Sequence, residues 1–187
     1  MNTSNIKKYA PQARNDFIAA MRKQAAKYGI TADSILPAEQ KGDLLLIGET
    51  VFPLSVLKPR DKLIKRIQAS SFEQSIDYIA YSWFNRLCAI RYMECKGLLD
   101  HGRRVLSSAD GSAGLPQILE ECLDIDLPGL DASRVAELKL DGNKDEELYR
   151  ELLLAQCHAL NQVMPLLFEQ VSDESESVSY THLRAHE

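Results

Sequence analysis

Apolar side chains recur every three or four positions along most of the chain, and this spacing predicts a mainly α protein. Phe17, Ile18, Met21, Ala25 and Tyr28 mark a first helix, with Pro11 suited to its first turn and Gly29 placed to end it. From Gly42 to Pro53 the pattern changes to two short apolar runs around Gly48-Glu49. This predicts one small β-hairpin near residues 43–52, with Pro53 keeping its second arm out of a central strand. Helical spacing returns from Pro59 to Ala69, where Leu63, Ile64 and Ile67 share a face amid Lys58, Arg60, Lys62, Lys65 and Arg66. The longest run begins at Ser71, which stands three residues before Gln74 as in a capping box, and Gly97 stops it after Lys96. Its stripe of Ile76, Ile79, Ala80, Trp83, Phe84, Leu87, Cys88 and Ile90 is wide enough to pack on more than one neighbour.

Beyond Gly97 the elements shorten. A polar connection leads to a short helix near residues 116–123, a turn at 126–131 and a second short helix over 133–140. Asp141-Gly-Asn-Lys breaks the pattern, and Asn143 with Glu146 predicts the cap of a last helix reaching about Phe168, frayed at Pro165. The predicted helical domain covers residues 1–171. Residues 172–187 are acidic and serine-rich, then lack apolar periodicity, and read as a disordered tail.

Composition adds bounds to this picture. With 187 residues, 45% apolar and 26% charged, the chain is long enough for a sizeable core and unlike a disordered or fibrous protein. The start of the chain lacks a secretory h-region and no apolar run is of membrane-spanning length, so a cytoplasmic protein that does not engage a membrane is expected. The four cysteines are too scattered for a disulfide scaffold. The net charge of −5 conceals an asymmetry. The first 104 residues carry 17 basic and 10 acidic side chains, and the remaining 83 carry 5 and 17. A basic half is compatible with nucleic acid, although helical faces are often simply solvated by charge.

Most motif tests return nothing. The nine glycines never stand two apart, which excludes a G-x-G dinucleotide turn, none is followed by Lys-Ser or Lys-Thr as in a P-loop, and adjacent prolines are absent, which excludes an amino-methyltransferase catalytic motif. Cys88 and Cys95 stand seven apart in an apolar helix and read as small packing residues rather than ligands. His182 and His186 have helical spacing but lie in the predicted tail and lack a partnering Glu.

The most distinctive segment is Tyr81-Ser-Trp-Phe-Asn-Arg-Leu-Cys-Ala-Ile-Arg-Tyr-Met-Glu94. Asn85, Arg86, Arg91 and Glu94 are polar groups set in a wide apolar stripe, where unpaired burial is expensive. They read as a structural cluster that pairs internally or with a nearby loop, with Arg91 and Glu94 three residues apart. The functional alternative puts Arg86 or Arg91 on phosphate.

This segment resembles the N-terminal region of the PglX family, adenine-specific DNA methyltransferases of BREX phage-defence systems. So do the opening run to Phe17, Leu98 to Val105-Leu106, Asp126 to Asp131, Glu137 to Arg150, Gln156 to Leu160, and Met164 to Glu169. The resemblance covers residues 1 to about 174 in order. It implies a much longer protein that transfers a methyl group from S-adenosylmethionine to adenine N6 and so marks self DNA. In that family a Rossmann-like domain and an Asn-Pro-Pro-Tyr motif do the chemistry, and neither motif occurs in this chain. No catalytic, cofactor-binding or metal residue carries over, and the chain alone is expected to be inactive. Beyond Glu174 the resemblance stops, which reads as a gene fragment closing in non-native residues.

The expected partners are double-stranded DNA, the missing catalytic domain and other BREX components. DNA phosphate contacts are expected, weak and sequence-blind, from Lys58, Arg60, Lys62, Lys65 and Arg66. The alternative is a freestanding helical protein–protein interaction module. A protein mimic of DNA fits poorly with the basic first half.

Overall fold

A computed structural model describes residues 4–112 and 114–168, with side chains from residue 10 onward. The predicted tail, with His182 and His186, lies outside the described residues. Among the described residues, six α-helices and one three-stranded antiparallel sheet make a mainly α fold. The described residues fall into two compact units, one ending at Phe84 and the other beginning at Asn85.

In the first unit, α1 runs from Ser4 to Lys27. Pro11 lies inside this helix rather than in its first turn, so its missing N–H removes only the bond to the Lys7 carbonyl. Met21, Ala25 and Tyr28 are buried, and the Phe17 ring meets Phe84 edge-on with centroids 5.7 Å apart. Gly29 ends the helix at φ +70°, a conformation that L side chains rarely adopt. A Cβ there would also stand 2.7 Å from Ile47 Cγ2, so conformation and close packing both demand glycine.

The predicted hairpin has a third strand. β1 (Ala38–Lys41), β2 (Leu44–Ile47) and β3 (Thr50–Pro53) pair in sequence order through two-residue turns at Gly42-Asp43 and Gly48-Glu49. Leu45 stands opposite Phe52, and these two with Ile47 are buried, while Leu44 and Val51 face out. Pro53 sits on the edge strand, where its lost donor leaves no central ladder bond unmade. After a 3-10 turn, α2 covers Leu57–Ala69 and α3 covers Phe72–Lys96. Ser71 Oγ accepts the Gln74 amide at 3.2 Å and starts α3 as its spacing predicts. Trp83 is 1% exposed.

The second unit takes the last turns of α3, which Gly97 closes at φ +66°. A loop leads to the one-turn α4 (Gln117–Glu120), then α5 (Ala132–Asp141) and α6 (Asp145–Asn161). Asp131 caps α5 by accepting the Ser133 and Arg134 amides. The core joins Ile90, Val105, Ile118, Val135, Leu138, Leu148, Leu152, Leu153 and Phe168, all at or below 2% exposure.

Two expectations at α6 are corrected. Asn143 does not cap it, because the helix begins one residue later behind Lys144, which makes no side-chain cap bond. Asp145, Glu146 and Glu147 in the first turn instead suit the positive end of the helix dipole. The helix also stops at Asn161, well short of Phe168. Pro165 disfavours helical backbone at Met164, and the Val163 and Met164 amides turn back onto the Leu160 carbonyl.

Candidate functional site

The basic residues of α2 divide between two sides of the helix. At 100° per residue Lys58, Lys62, Lys65 and Arg66 fall within one third of its circumference, and Arg60 falls opposite, among Leu63, Ile64 and Ile67. The structure follows that geometry. Lys58, Lys65 and Arg66 are exposed and Lys62 is half-buried, whereas Arg60 is 3% exposed.

Arg60 therefore leaves the row of expected phosphate contacts. Its Nε donates to the Tyr28 carbonyl at 2.9 Å, and its guanidinium also donates to the Leu36 carbonyl. Burial lowers the pKa of the guanidinium, with Asp61 opposing the shift. Arg60 thus ties α2 to the end of α1 and to the segment entering the sheet, a structural role for a buried cation whose donors are satisfied. Arg66 has a different neighbour. Its guanidinium carbon lies 3.9 Å from the centroid of the Tyr78 ring on α3, a cation–π contact. Tyr78 and Tyr81, one turn apart on α3, are exposed and were not among the expected site residues.

In the second unit, the polar cluster of α3 organises around Glu94. Its carboxylate is closed to solvent, with Oε2 accepting the Val105 and Leu106 amides at 2.8 Å each. Oε1 accepts from Ser107 Oγ at 3.0 Å and from the Arg91 guanidinium. Arg91 also donates to Ser107 Oγ at 2.7 Å. The expected Arg91–Glu94 pair is present, and together the two fasten the loop after α3. Arg86 is buried and Asn85 is half-buried. The loop is held at further points: the Tyr149 hydroxyl donates to the Val105 carbonyl at 3.1 Å, and His101 Nε2 lies 2.6 Å from Gln156 Oε1. Glu121 accepts from Gln117 Nε2 at 3.0 Å and from Arg103 Nε at 2.7 Å, and these hydrogen bonds, that of Gln117 foremost, lower the pKa of its carboxyl. The four groups that reach the Glu94 carboxylate, from Arg91, Val105, Leu106 and Ser107, are all donors, an arrangement that holds a fold.

Among the described residues, no group of three or more His, Cys, Asp or Glu could hold a metal ion. No helix there is long and apolar enough to cross a membrane. The described residues do not fit S-adenosylmethionine either. Their sheet is wholly antiparallel, joined by two-residue hairpin turns, and lacks the strand–glycine turn–helix unit that holds such a cofactor.

The chain is similar to adenine-specific methyltransferases, over nearly all of its own length and a small part of theirs. In particular it matches a segment of BrxX and PglX that makes up 15% and 16% of their lengths. It is 50% identical over 183 residues to the adenine-specific methyltransferase BrxX of Escherichia coli O9:H4 (strain HS), covering 94% of this chain and 15% of that protein. It is 30% identical over 192 residues to the adenine-specific methyltransferase PglX of Lacticaseibacillus casei (strain Zhang), covering 92% of this chain and 16% of that protein. No family model matches the chain.

Proposed function

We propose that this chain is the helical, non-catalytic part of a site-specific adenine-N6 DNA methyltransferase of a BREX phage-defence system. The observation that carries the reading is 50% identity to BrxX across 94% of the chain, joined to a fold that does not fit the cofactor. In the whole protein S-adenosylmethionine supplies the methyl group, and residues outside this chain bind it and the adenine. The part played here is to support that catalytic region and to add DNA phosphate contacts through Lys58, Lys62, Lys65 and Arg66. Such contacts position a protein on DNA without reading its sequence. The working compartment is the cytoplasm, where the DNA to be marked lies.

The protein–protein role keeps one observation of its own. In the second unit Leu123, Leu140, Val163 and Leu166 are 65%, 87%, 75% and 94% exposed. Large apolar side chains this open would lose exposed area wherever a partner protein packs against them.

The test is calorimetric titration of the purified chain with S-adenosylmethionine, run beside a methylation assay on duplex DNA. Neither heat of binding nor methyl transfer is expected. Saturable binding at micromolar cofactor would overturn the non-catalytic assignment. For the DNA contacts, charge reversal at Lys62, Lys65 and Arg66 is expected to abolish a weak, salt-sensitive affinity for random duplex, in the range of about 10⁻⁴ to 10⁻⁶ M. Affinity unchanged by the reversal would remove this helix face from the reading.

A further inference from the structure

Duplex phosphates account for the basic side chains of the first unit but not for the aromatic rings beside them. Arg66 covers Tyr78 at 3.9 Å, and Tyr81, three residues further along α3, is 63% exposed. A guanidinium seated over a ring engages the ring face through its charge and still carries N–H donors that can reach a phosphate. The two carboxylates on the neighbouring turns of α3 are already engaged, Glu73 by Arg22 and Asp77 by Arg14 at 3.7 Å. Cations next to an open aromatic ring, with the acids of α3 compensated, form the combination that binds unpaired nucleic acid. A duplex offers no partner to such a ring, because its base faces are hidden in the stack. A single strand offers both a base face and the phosphates on either side of it.

We propose that the surface formed by Lys65, Arg66, Tyr78 and Tyr81 binds a single-stranded stretch of nucleic acid, with a base stacked on Tyr81 and the flanking phosphates held by Lys65 and Arg66. This rests on the reading of α2 as a nucleic-acid-contacting face and names the form of nucleic acid that fits it. Specificity for sequence is not expected, since every base presents a face to stack.

The experiment is fluorescence anisotropy on the 187-residue chain with three labelled probes: a short oligoadenylate, an abasic strand of equal phosphate count, and a duplex of the same length. Oligoadenylate is expected to bind at least about fivefold more tightly than the abasic strand. Tyr81→Ala should reduce its affinity to the abasic level, and Tyr81→Phe should preserve it, because the ring and not the hydroxyl makes the stack. The exposed position of Tyr81 allows both variants to fold, which circular dichroism checks. The double variant Lys65→Glu/Arg66→Glu should weaken all three probes. Equal binding of oligoadenylate and the abasic strand, or no effect of Tyr81→Ala, would overturn the stacking proposal. In that case, loss of duplex binding in the double variant would leave the basic-face reading standing. Failure of every probe to bind would remove both.

Discussion

Glu94 accepts the backbone amide of Val105 at 2.8 Å through a carboxylate closed to solvent. The same oxygen takes the Leu106 amide, so one side chain near the end of α3 provides acceptors that the loop backbone cannot find within itself. Buried amides left without an acceptor are costly, and Arg91 would lose its partner as well. Glu94→Ala is therefore expected to destabilise the protein by about 3 kcal/mol, read as a lower urea midpoint at unchanged slope. A change below about 0.5 kcal/mol would show that the loop does not depend on this anchor.

Arg60 separates a structural cation of α2 from the basic face proposed to contact DNA. Because its guanidinium is committed to the Tyr28 and Leu36 carbonyls, Arg60→Ala should cost about 2–3 kcal/mol of stability. DNA affinity of the folded variant should match that of the unaltered chain. Thermal melts and anisotropy on the same sample check both halves, and a stable variant with weakened DNA binding would reverse the assignment.

Trp83 is the single tryptophan and is 1% exposed at the middle of α3. Its emission should be blue-shifted in the native state and move to longer wavelength on unfolding. Truncation to Ala is expected to cost about 3–5 kcal/mol, the range for a deleted large aromatic. Native emission like that of indole in water would contradict the packing.

Asp110 should titrate far below an ordinary aspartate. The Ser108 hydroxyl, at 2.6 Å, is the main cause, followed by the Ser112 amide at 2.9 Å and the Ser112 hydroxyl, and together they lower its pKa to about 2. A carboxyl depressed in the folded state contributes stability above its unfolded pKa and loses it as pH falls through the folded value. The stabilisation of the 108–112 loop should therefore be complete above about pH 4 and fade toward about pH 2. Carbon-detected NMR titration should place the Asp110 midpoint near the lower figure, and the melting difference between the chain and Asp110→Asn should shrink across that interval. A midpoint near 4 would contradict the hydrogen bonding.

The helices were legible wherever a side-chain pattern and a stop signal coincided. Gly29, Gly97 and Gly142 each adopt the left-handed backbone that ends a helix, and Ser71 caps α3 at the expected spacing. β1 was not legible, because Ala38-Glu-Gln-Lys41 has no apolar alternation and pairs only because β2 supplies the ladder. The N-terminal end of α6 misled because Asn143 has the right chemistry one residue too early. Arg60 was readable in principle, since its helical angle sets it among Leu63, Ile64 and Ile67, but charge suggested the opposite side. The Arg91–Glu94 pair follows from three-residue spacing, whereas the amides of Val105 and Leu106, 11 and 12 residues from Glu94, leave no sequence signal. Tyr78 likewise reaches Arg66 only through packing.

Exchange into the E. coli relative decides whether this chain acts as a required but non-catalytic segment of a DNA adenine methyltransferase. The matching segment of BrxX would be replaced by this chain, or deleted, and N6-methyladenine scored across the genome by sequencing that detects the modified base. Methylation is expected with the chimera and none with the deletion. Undiminished methylation without the segment, or a stably accumulating chimera that marks no adenine, would contradict that role.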